Sequence, residues 1–330
     1  MPSRLSAHVD YVTDAQESPD PIGFLLDALA QPATILLLLL GLALVVAGLL
    51  AYAHRRPMEA SRQRFVERAE TYREYVPWIV RLSVGLVLIG SGLVRVLIMP
   101  GLDAGPLVGV LLTGCGFLLL LGFAVRAAAL VALGVYAVTL LGNPELVMML
   151  DVAGALAAAA IIGPGRPSLD DLMRAAFPRG PGARAATADL AAGHYDDFVP
   201  LLLRLGLGGA FAASGIVDKL LIYGQALAAV DKYQLTGVVP VAPELWVLGA
   251  ILIETALGMA IILGVVTRFS AVVGFAVLTL AMFALPDDPV IAHVGLFGLS
   301  SALVILGGGR WSLDRVLIGP VGERLRRRPA

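Results

Sequence analysis

The chain of 330 residues is 58 % hydrophobic and 15 % charged, with a mean hydropathy of +0.86. A soluble protein of this length needs more polar surface to cover its core, so the composition excludes a soluble globular protein and indicates an integral membrane protein. The formal net charge of −1 argues against a nucleic-acid partner. Cys115 is the single cysteine, and His293 is the one histidine inside an apolar segment. We therefore expect no iron–sulfur cluster, no haem, no covalent cofactor and no metal site.

The first 75 residues are predicted to form a polar segment, one span and a charged helix. Residues 1–31 are acidic, lack the basic start of a signal peptide, and are expected outside the cell. The run 32–53 is long enough to cross a bilayer, and its uniform Leu, Val and Ala content is typical of a lipid-facing helix. Residues 54–75 carry six arginines and four glutamates, which predicts a solvated amphipathic helix in the cytoplasm.

Two sets of four apolar segments follow. The first set lies at about 76–98, 105–124, 127–142 and 145–163, within the predicted region 76–173. The second set lies at about 198–222, 244–266, 269–285 and 289–307, inside the region 198–316. A linker rich in Gly, Pro and charge, 174–197, separates the regions, and a basic tail, 317–330, ends the chain. We predict an all-α polytopic membrane bundle of nine transmembrane helices.

The distribution of basic residues predicts the orientation. With the N-terminus outside, 18 of the 24 basic residues fall in cytoplasmic loops or in the cytoplasmic tail. The N-terminal segment and the outer loops carry only Arg4 and Lys232. Because cytoplasmic loops of membrane proteins are enriched in Lys and Arg, we predict an outer N-terminus and a cytoplasmic C-terminus.

The two four-helix sets have similar sequences. Residues 76–97 align with 199–220 at an offset of 123, and Gly122–Arg126 aligns with Gly264–Arg268 at an offset of 142. Each copy has an even number of spans, so the copies are predicted to be parallel repeats. The alignment pairs three polar residues of the second copy with different residues in the first: Glu254 with Leu112, Lys219 with Val96 and His293 with Asp151.

The second copy resembles the DoxX family. The motifs that carry the resemblance are SGIVDKL (214–220), a mid-membrane glutamate before a glycine (Glu254 and Gly258), the GVVTR turn, the HVGLFG run and the final GGGRWSLD. They occur in the family's order over residues 198–316, and the region 76–173 is a degenerate version of the same pattern. The resemblance implies a four-helix membrane module in the plasma membrane of a prokaryote. Since the family includes quinone-linked subunits, it also implies a quinone ligand and an oxidoreductase partner.

Glu254 and His293 are the candidate proton-handling residues. An ionised acidic side chain at the centre of a spanning helix costs about 2.5–3.5 kcal/mol, so Glu254 must be protonated, paired or in contact with a wet cavity. The small residues Ala250 and Gly258 share its helix face, which lets neighbouring helices approach the acid. His293 is expected in the outer third of the bilayer, where an imidazole near a carboxylate shares a proton at physiological pH.

Five further residues are candidate ligand contacts: Ser214, Asp218, Lys219, Tyr223 and Tyr233. Alternative interpretations stay open for several of them. Lys219 is also placed to extend to the membrane surface as an interface anchor, and the tyrosines are also typical of an aromatic belt. Arg81 and Arg204 are interpreted as anchors on the cytoplasmic side. Ser168, Asp170, Ser312 and Asp314 are interpreted as helix caps.

Three functions compete at this point. The favoured one is a quinone-interacting subunit of a membrane oxidoreductase, in which Glu254 and His293 exchange protons with the quinone. The second is a small-molecule transporter or binding protein, because parallel repeats with a polar site are a common transporter plan. The third is a membrane scaffold whose basic loop and tail bind cytoplasmic enzymes. The sequence predicts contact with the lipid bilayer in all three cases and no particular oligomeric state.

Overall fold

A computed structural model describes residues 18–55, 59–99, 102–176, 195–288 and 290–318. The described chain is helical, and its β-pairing is limited to a single bridge between Val96 and Asp103. Residues 1–17, most of the predicted linker and almost all of the predicted basic tail lie outside the described residues. The α-helices are α1 Pro21–Ala30, α2 Pro32–Arg55, α3 Glu59–Thr71, α4 Val76–Leu93, α5 Gly105–Leu121, α6 Val125–Gly142, α7 Leu150–Ile162, α8 Leu169–Ala176, α9 Tyr195–Ala213, α10 Tyr223–Lys232, α11 Pro243–Leu263, α12 Thr267–Ala284, α13 Val290–Leu306 and α14 Leu313–Ile318. A π-helical segment, Ser214–Leu221, continues α9.

The described residues include six helices that are long and apolar enough to cross a membrane. They are Arg73–Leu93, Val125–Gly142, Pro144–Ile162, Phe198–Leu221, Pro243–Leu263 and Thr267–Ala284. A seventh candidate is the pair Pro21–Ala30 and Thr34–Gly48, which is bent by 81°. Two shorter apolar helices, α5 and α13, have 17 residues each. The chain is therefore a multi-pass membrane protein, while the count of nine spans and the orientation stay predictions.

The segment predicted as a polar N-terminus contains helix α1. Asp20 accepts a hydrogen bond from the backbone N–H of Gly23 at 2.8 Å, and Pro21 occupies the first helical position. Both features favour a helix start. The Phe24 ring stacks on the Tyr223 ring with 4.3 Å between centroids, which attaches α1 to α10. The charged helix predicted within 54–75 is present as α3.

Glycines bring the first two helices of each four-helix set into close contact. A β-carbon on Gly116 of α5 would lie 2.7 Å from the carbonyl oxygen of Gly85 on α4. At the matching position, a β-carbon on Gly258 of α11 would lie 2.5 Å from the carbonyl oxygen of Gly208 on α9. Side chains of any size would separate these pairs, so the small residues set the interhelical distances.

Two buried arginines join the start of each set to its end. Arg81 is 1 % exposed and donates to the Pro167 carbonyl at 2.7 Å, while Arg204 is 0 % exposed and donates to the Trp311 carbonyl. Arg204 also donates to the carbonyl of Ile262 at 3.0 Å. The interpretation of these arginines as membrane-surface anchors is wrong, because both side chains are buried and donate hydrogen bonds to carbonyls inside the protein.

Aspartates in the first turns of α8 and α14 bind the start of another helix. Asp170 accepts a hydrogen bond from the backbone N–H of Ala124 at 3.1 Å, just before α6. Asp314 accepts from the backbone N–H of Thr267 at 2.8 Å, at the start of α12. A carboxylate at a helix N-terminus satisfies unpaired N–H groups and interacts favourably with the helix dipole. The predicted capping role is therefore confirmed for these two aspartates, although each one caps a helix that is distant from it in the sequence.

The last helices of the two sets correspond at an offset of 144 rather than 142. Gly154 of α7 packs on Gly206, and Gly298 of α13 packs on Ser83 in the matching contact. This register pairs Asp151 with Gly295, and a β-carbon at Gly295 would collide with the Asp151 carboxylate. The alignment of His293 with Asp151 is consequently two residues out of register. The internal duplication itself stays a prediction.

Candidate functional site

The candidate site begins at the π-helical segment that follows α9. A π-helix hydrogen-bonds residue i to residue i+5, and such segments are rare and often occur at functional sites. Here the wider turn places Asp218 and Lys219 together beneath Ser214. Ser214 Oγ donates to Asp218 Oδ2 at 3.2 Å, and Lys219 Nζ donates to Ser214 Oγ at 3.1 Å. The serine hydroxyl therefore bridges a buried acid and a lysine.

Lys219 reaches from this segment to Glu254 on α11. Its Nζ atom lies 2.8 Å from Glu254 Oε2, which makes an ion pair inside the span. The angles at this contact are not those of a hydrogen bond, and Glu254 Oε2 has no hydrogen-bond partner among the described residues. The lysine thus extends inward to the acid rather than outward to the membrane surface. The ion pair is not fully buried, because the side chains of Lys219 and Glu254 are 20 % and 17 % exposed.

A second acid–base pair lies beside the first, at the end of the bundle. His293 Nε2 lies 3.4 Å from Asp288 Oδ2, and each of these side chains is 9 % exposed. Asp288 belongs to the loop between α12 and α13, and it also interacts electrostatically with Lys219. Burial raises the pKa of Asp288 above its ordinary range, and this outweighs the lowering by His293 and Lys219. Its Oδ1 atom is buried and accepts no hydrogen bond within the described chain.

The resulting cluster holds more acids than bases. We define the polar cluster as six residues: Ser214, Asp218, Lys219, Glu254, Asp288 and His293. Lys219 is the single lysine of the cluster, which also holds three carboxyl groups. Imidazole, ammonium and carboxyl groups each have a protonated and a deprotonated form, so several members of the cluster can carry a proton. The cluster is therefore able both to donate and to accept protons within the membrane.

The structure brings together five of the seven residues proposed from the sequence. Ser214, Asp218, Lys219, Glu254 and His293 belong to the polar cluster, whereas the two tyrosines do not. Tyr223 stacks on Phe24, and the Tyr233 hydroxyl donates to Asp287 Oδ2 at 2.8 Å in the exposed loop. Lys232 Nζ lies 2.7 Å from the same Asp287 oxygen. Tyr233 and Lys232 therefore contact the exposed side of the loop, outside the polar cluster.

Asp288 is the cluster residue that the sequence analysis missed. It stands in a Pro-Asp-Asp-Pro loop, where a carboxylate is ordinarily solvated. The signal that could have found it is its spacing from His293, five residues further along the chain. The polar cluster otherwise follows the motif residues 214–220 and Glu254.

Comparison with protein-family models matches residues 199–287 to the DoxX family. Residues 199–287 form a DoxX domain. The domain contains the π-helical segment and Glu254, whereas Asp288 and His293 lie just beyond the matched residues. No curated protein and no solved structure matches the chain. The protein is thus an integral membrane protein that carries a DoxX domain, and most of the polar cluster belongs to that domain.

Proposed function

We propose that this protein is a quinone-interacting subunit of a membrane oxidoreductase complex in the plasma membrane of a prokaryote. The proposal is supported by the ion pair between Lys219 and Glu254, which lies inside the membrane and remains partly accessible. Quinones dissolve in the bilayer, so a ligand of this class reaches an intramembrane site without crossing water.

The pair has the two polar functions that a quinone head group requires. The Lys219 ammonium donates hydrogen bonds, which suits a quinone carbonyl oxygen. The Glu254 carboxylate accepts them, which suits the hydroxyl group of a quinol. Reduction of one quinone to a quinol takes two electrons and two protons, one proton for each carbonyl oxygen. Glu254 and His293 exchange these protons with the head group, and Lys219 and Ser214 orient it.

The electrons must come from a partner protein. The sequence has one cysteine, and that cysteine, Cys115, is 4 % exposed in the apolar core. It supplies neither a disulfide nor a thiolate cluster for electron transfer. The proposed role is accordingly that of a quinone-binding subunit whose oxidoreductase partner holds the redox centre.

The proposed site belongs to one half of the chain. We take the matching contacts of the two four-helix sets as support for a tandem duplication. In that duplication Leu112 and Val96 stand where the second set has Glu254 and Lys219. An apolar pair neither donates to a carbonyl oxygen nor accepts from a hydroxyl group. We therefore propose one quinone site per chain.

Quinone retention tests the proposal. The protein is purified in mild detergent from quinone-containing membranes, and bound quinone is extracted and quantified by mass spectrometry. Glu254→Gln is compared with wild type and with Glu244→Gln, a matched control in the first turn of α11. We expect about tenfold less quinone in Glu254→Gln, equivalent to about 1.4 kcal/mol of lost binding, and no loss in the control. Wild-type protein that retains no quinone, but takes up a solute in a Glu254-dependent way, would support the transporter hypothesis instead.

A further inference from the structure

Asp288 is placed at the boundary between the polar cluster and the aqueous phase. It lies in the loop Leu285–Asp288, after the candidate span Thr267–Ala284 and before α13. Its neighbour Asp287 faces outward, with a side chain that is 54 % exposed and paired with Lys232. The Asp288 side chain is 9 % exposed and faces His293. Two adjacent carboxylates therefore point to opposite environments, one to water and one to the cluster.

The charged groups around Asp288 connect it to the intramembrane pair. His293 approaches it from α13, and Lys219 interacts with it from the π-helical segment. Lys219 in turn pairs with Glu254 of α11 and interacts electrostatically with Asp218. On the outer side, Lys232 and Tyr233 of α10 and its following turn are bound to Asp287 instead. Asp288 is therefore the carboxylate that is near both the loop surface and the Lys219–Glu254 pair.

The buried Oδ1 atom of Asp288 supports a role beyond packing. It accepts no hydrogen bond within the described chain, although Oδ2 faces His293. A buried acceptor without a donor is unfavourable, most of all in an ionised carboxylate, so the missing donor favours the neutral form of the acid. Burial has the same effect, since it favours the neutral form of the acid.

We propose that Asp288 is the proton-exchange residue between the aqueous phase and the Lys219–Glu254 pair, with His293 as its hydrogen-bonding partner. In the inward direction, Lys219 transfers a proton to Glu254, and the protonated Asp288 returns one proton to the Lys219 amine. Asp288 then takes one proton from water. The net result is one proton moved from water to Glu254, with Lys219 and Asp288 restored. Lys219 and Asp288 form no direct ion pair in the described part of the chain, so the transfer from Asp288 to Lys219 runs through a bridging water molecule.

This inference deepens the proposed function, because quinone reduction consumes two protons at the cluster. Its test nevertheless needs no quinone. The full chain is reconstituted in lipid vesicles, protons are released by a light pulse, and protonation of Glu254 is followed by time-resolved infrared spectroscopy. The Glu254 signal is assigned by its loss in Glu254→Gln. The neighbouring carboxylate provides a matched control, Asp287→Asn.

We expect Asp288→Asn to slow protonation of Glu254 by about 100-fold, the scale of a positioned proton-transfer group. Asp287→Asn should leave the rate unchanged. Formate should restore the rate in Asp288→Ala, because a small acid in the vacated space replaces the missing carboxyl group, which a purely structural role does not predict. A wild-type rate in Asp288→Asn, or a slow rate in Asp288→Ala that formate does not change, would overturn the inference.

Two further measurements keep the test decisive. Should the neutral Asp288 variants not fold, His293→Gln is expected to slow the protonation of Glu254 by about tenfold, and an unchanged rate would overturn the inference.

Quinone retention is measured on the same samples. Asp288-dependent protonation without quinone retention refutes the proposed function and supports the proton route. Quinone retention with Asp288-independent protonation supports the proposed function and refutes the route.

Discussion

The two four-helix sets share their packing contacts and differ in the residues that those contacts surround. Both sets have a glycine pair between their first two helices and a buried arginine bound to a carbonyl near their last helix. In the first set the interior position beside these contacts is Leu112, which is 0 % exposed, and in the second it is Glu254. The shared contacts hold the helices of both sets together. The differing positions carry the polar residues of the proposed quinone site.

The backbone also differs where the first helix of each set ends. In the first set α4 ends at Leu93, and the chain turns through Arg95 and Ile98, which have φ values of 57° and 67°. In the second set the helix continues as the π-helical segment and carries Lys219 to the acid. The extra helical turn is therefore what brings the base to Glu254.

The largest effect is expected from making the second set resemble the first at the ion pair. Lys219→Val alone leaves the carboxylate without its cation, and we expect it to reduce the free energy of unfolding by about 3–4 kcal/mol. The double variant Lys219→Val/Glu254→Leu removes both partners and should recover most of that loss. Reversible unfolding in mixed micelles measures both values. A double variant less stable than Lys219→Val would show that the pair is needed for folding.

A somewhat smaller effect is expected at the arginines, and it should be the same in both sets. Arg81→Met and Arg204→Met each leave buried carbonyl groups without a donor, and each should reduce the free energy of unfolding by about 2–3 kcal/mol. Met keeps much of the side-chain length, so the loss reports the hydrogen bonds. A large loss at one arginine with none at the other would contradict the equivalence of the two sets.

The glycine contacts should respond next, again in parallel. Gly116→Ala and Gly258→Ala place a β-carbon against a carbonyl oxygen of the facing helix, and each should cost about 1–2 kcal/mol by overpacking. Gly249→Ala is the control on α11, because a β-carbon at that position meets nothing within 4 Å. Thermal unfolding in detergent compares the three variants. Equal unfolding temperatures for Gly258→Ala and Gly249→Ala would show that the close contact does not limit the packing.

The smallest effects are expected in the loop, where adjacent aspartates should respond to pH with opposite signs. Hydrogen bonds from Lys232 and Tyr233 lower the pKa of Asp287, so its stabilising contribution is present above the ordinary carboxyl value of about 3.9 and is lost as the pH falls through the lowered value. Burial raises the pKa of Asp288, so its contribution is present below the ordinary value and is lost as the pH rises through the raised value.

Unfolding temperatures between pH 3 and pH 7 test this contrast. Asp287→Asn should destabilise the protein more at the upper end of the range. Asp288→Asn should be less harmful at the upper end than at the lower end, because the wild-type carboxyl group is then ionised in a buried position. Two variants with the same pH trend would contradict the opposite environments of the two side chains.

The helical membrane fold was predictable because its determinants are local. Long apolar runs specify spans, and the motifs around residues 214–220 and Glu254 indicated the DoxX domain. The polar contacts were harder to predict. Lys219 could extend outward or inward, and the π-helical turn that directs it inward has no simple sequence signature. Arg81 and Arg204 fit the pattern of surface anchors, since nothing local shows that their acceptors lie 86 and 107 residues away.

Photolabelling with an azido-quinone tests the central claim most directly, because it locates the ligand in one set or the other. Labelled protein is digested, and the modified peptides are identified by mass spectrometry. The proposed site predicts adducts on the π-helical segment and α11, competed by unlabelled quinone and lost in Glu254→Gln. Competable adducts on α4 and α5, or adducts in the second set that persist in Glu254→Gln, would contradict the claim that the Lys219–Glu254 pair binds the quinone.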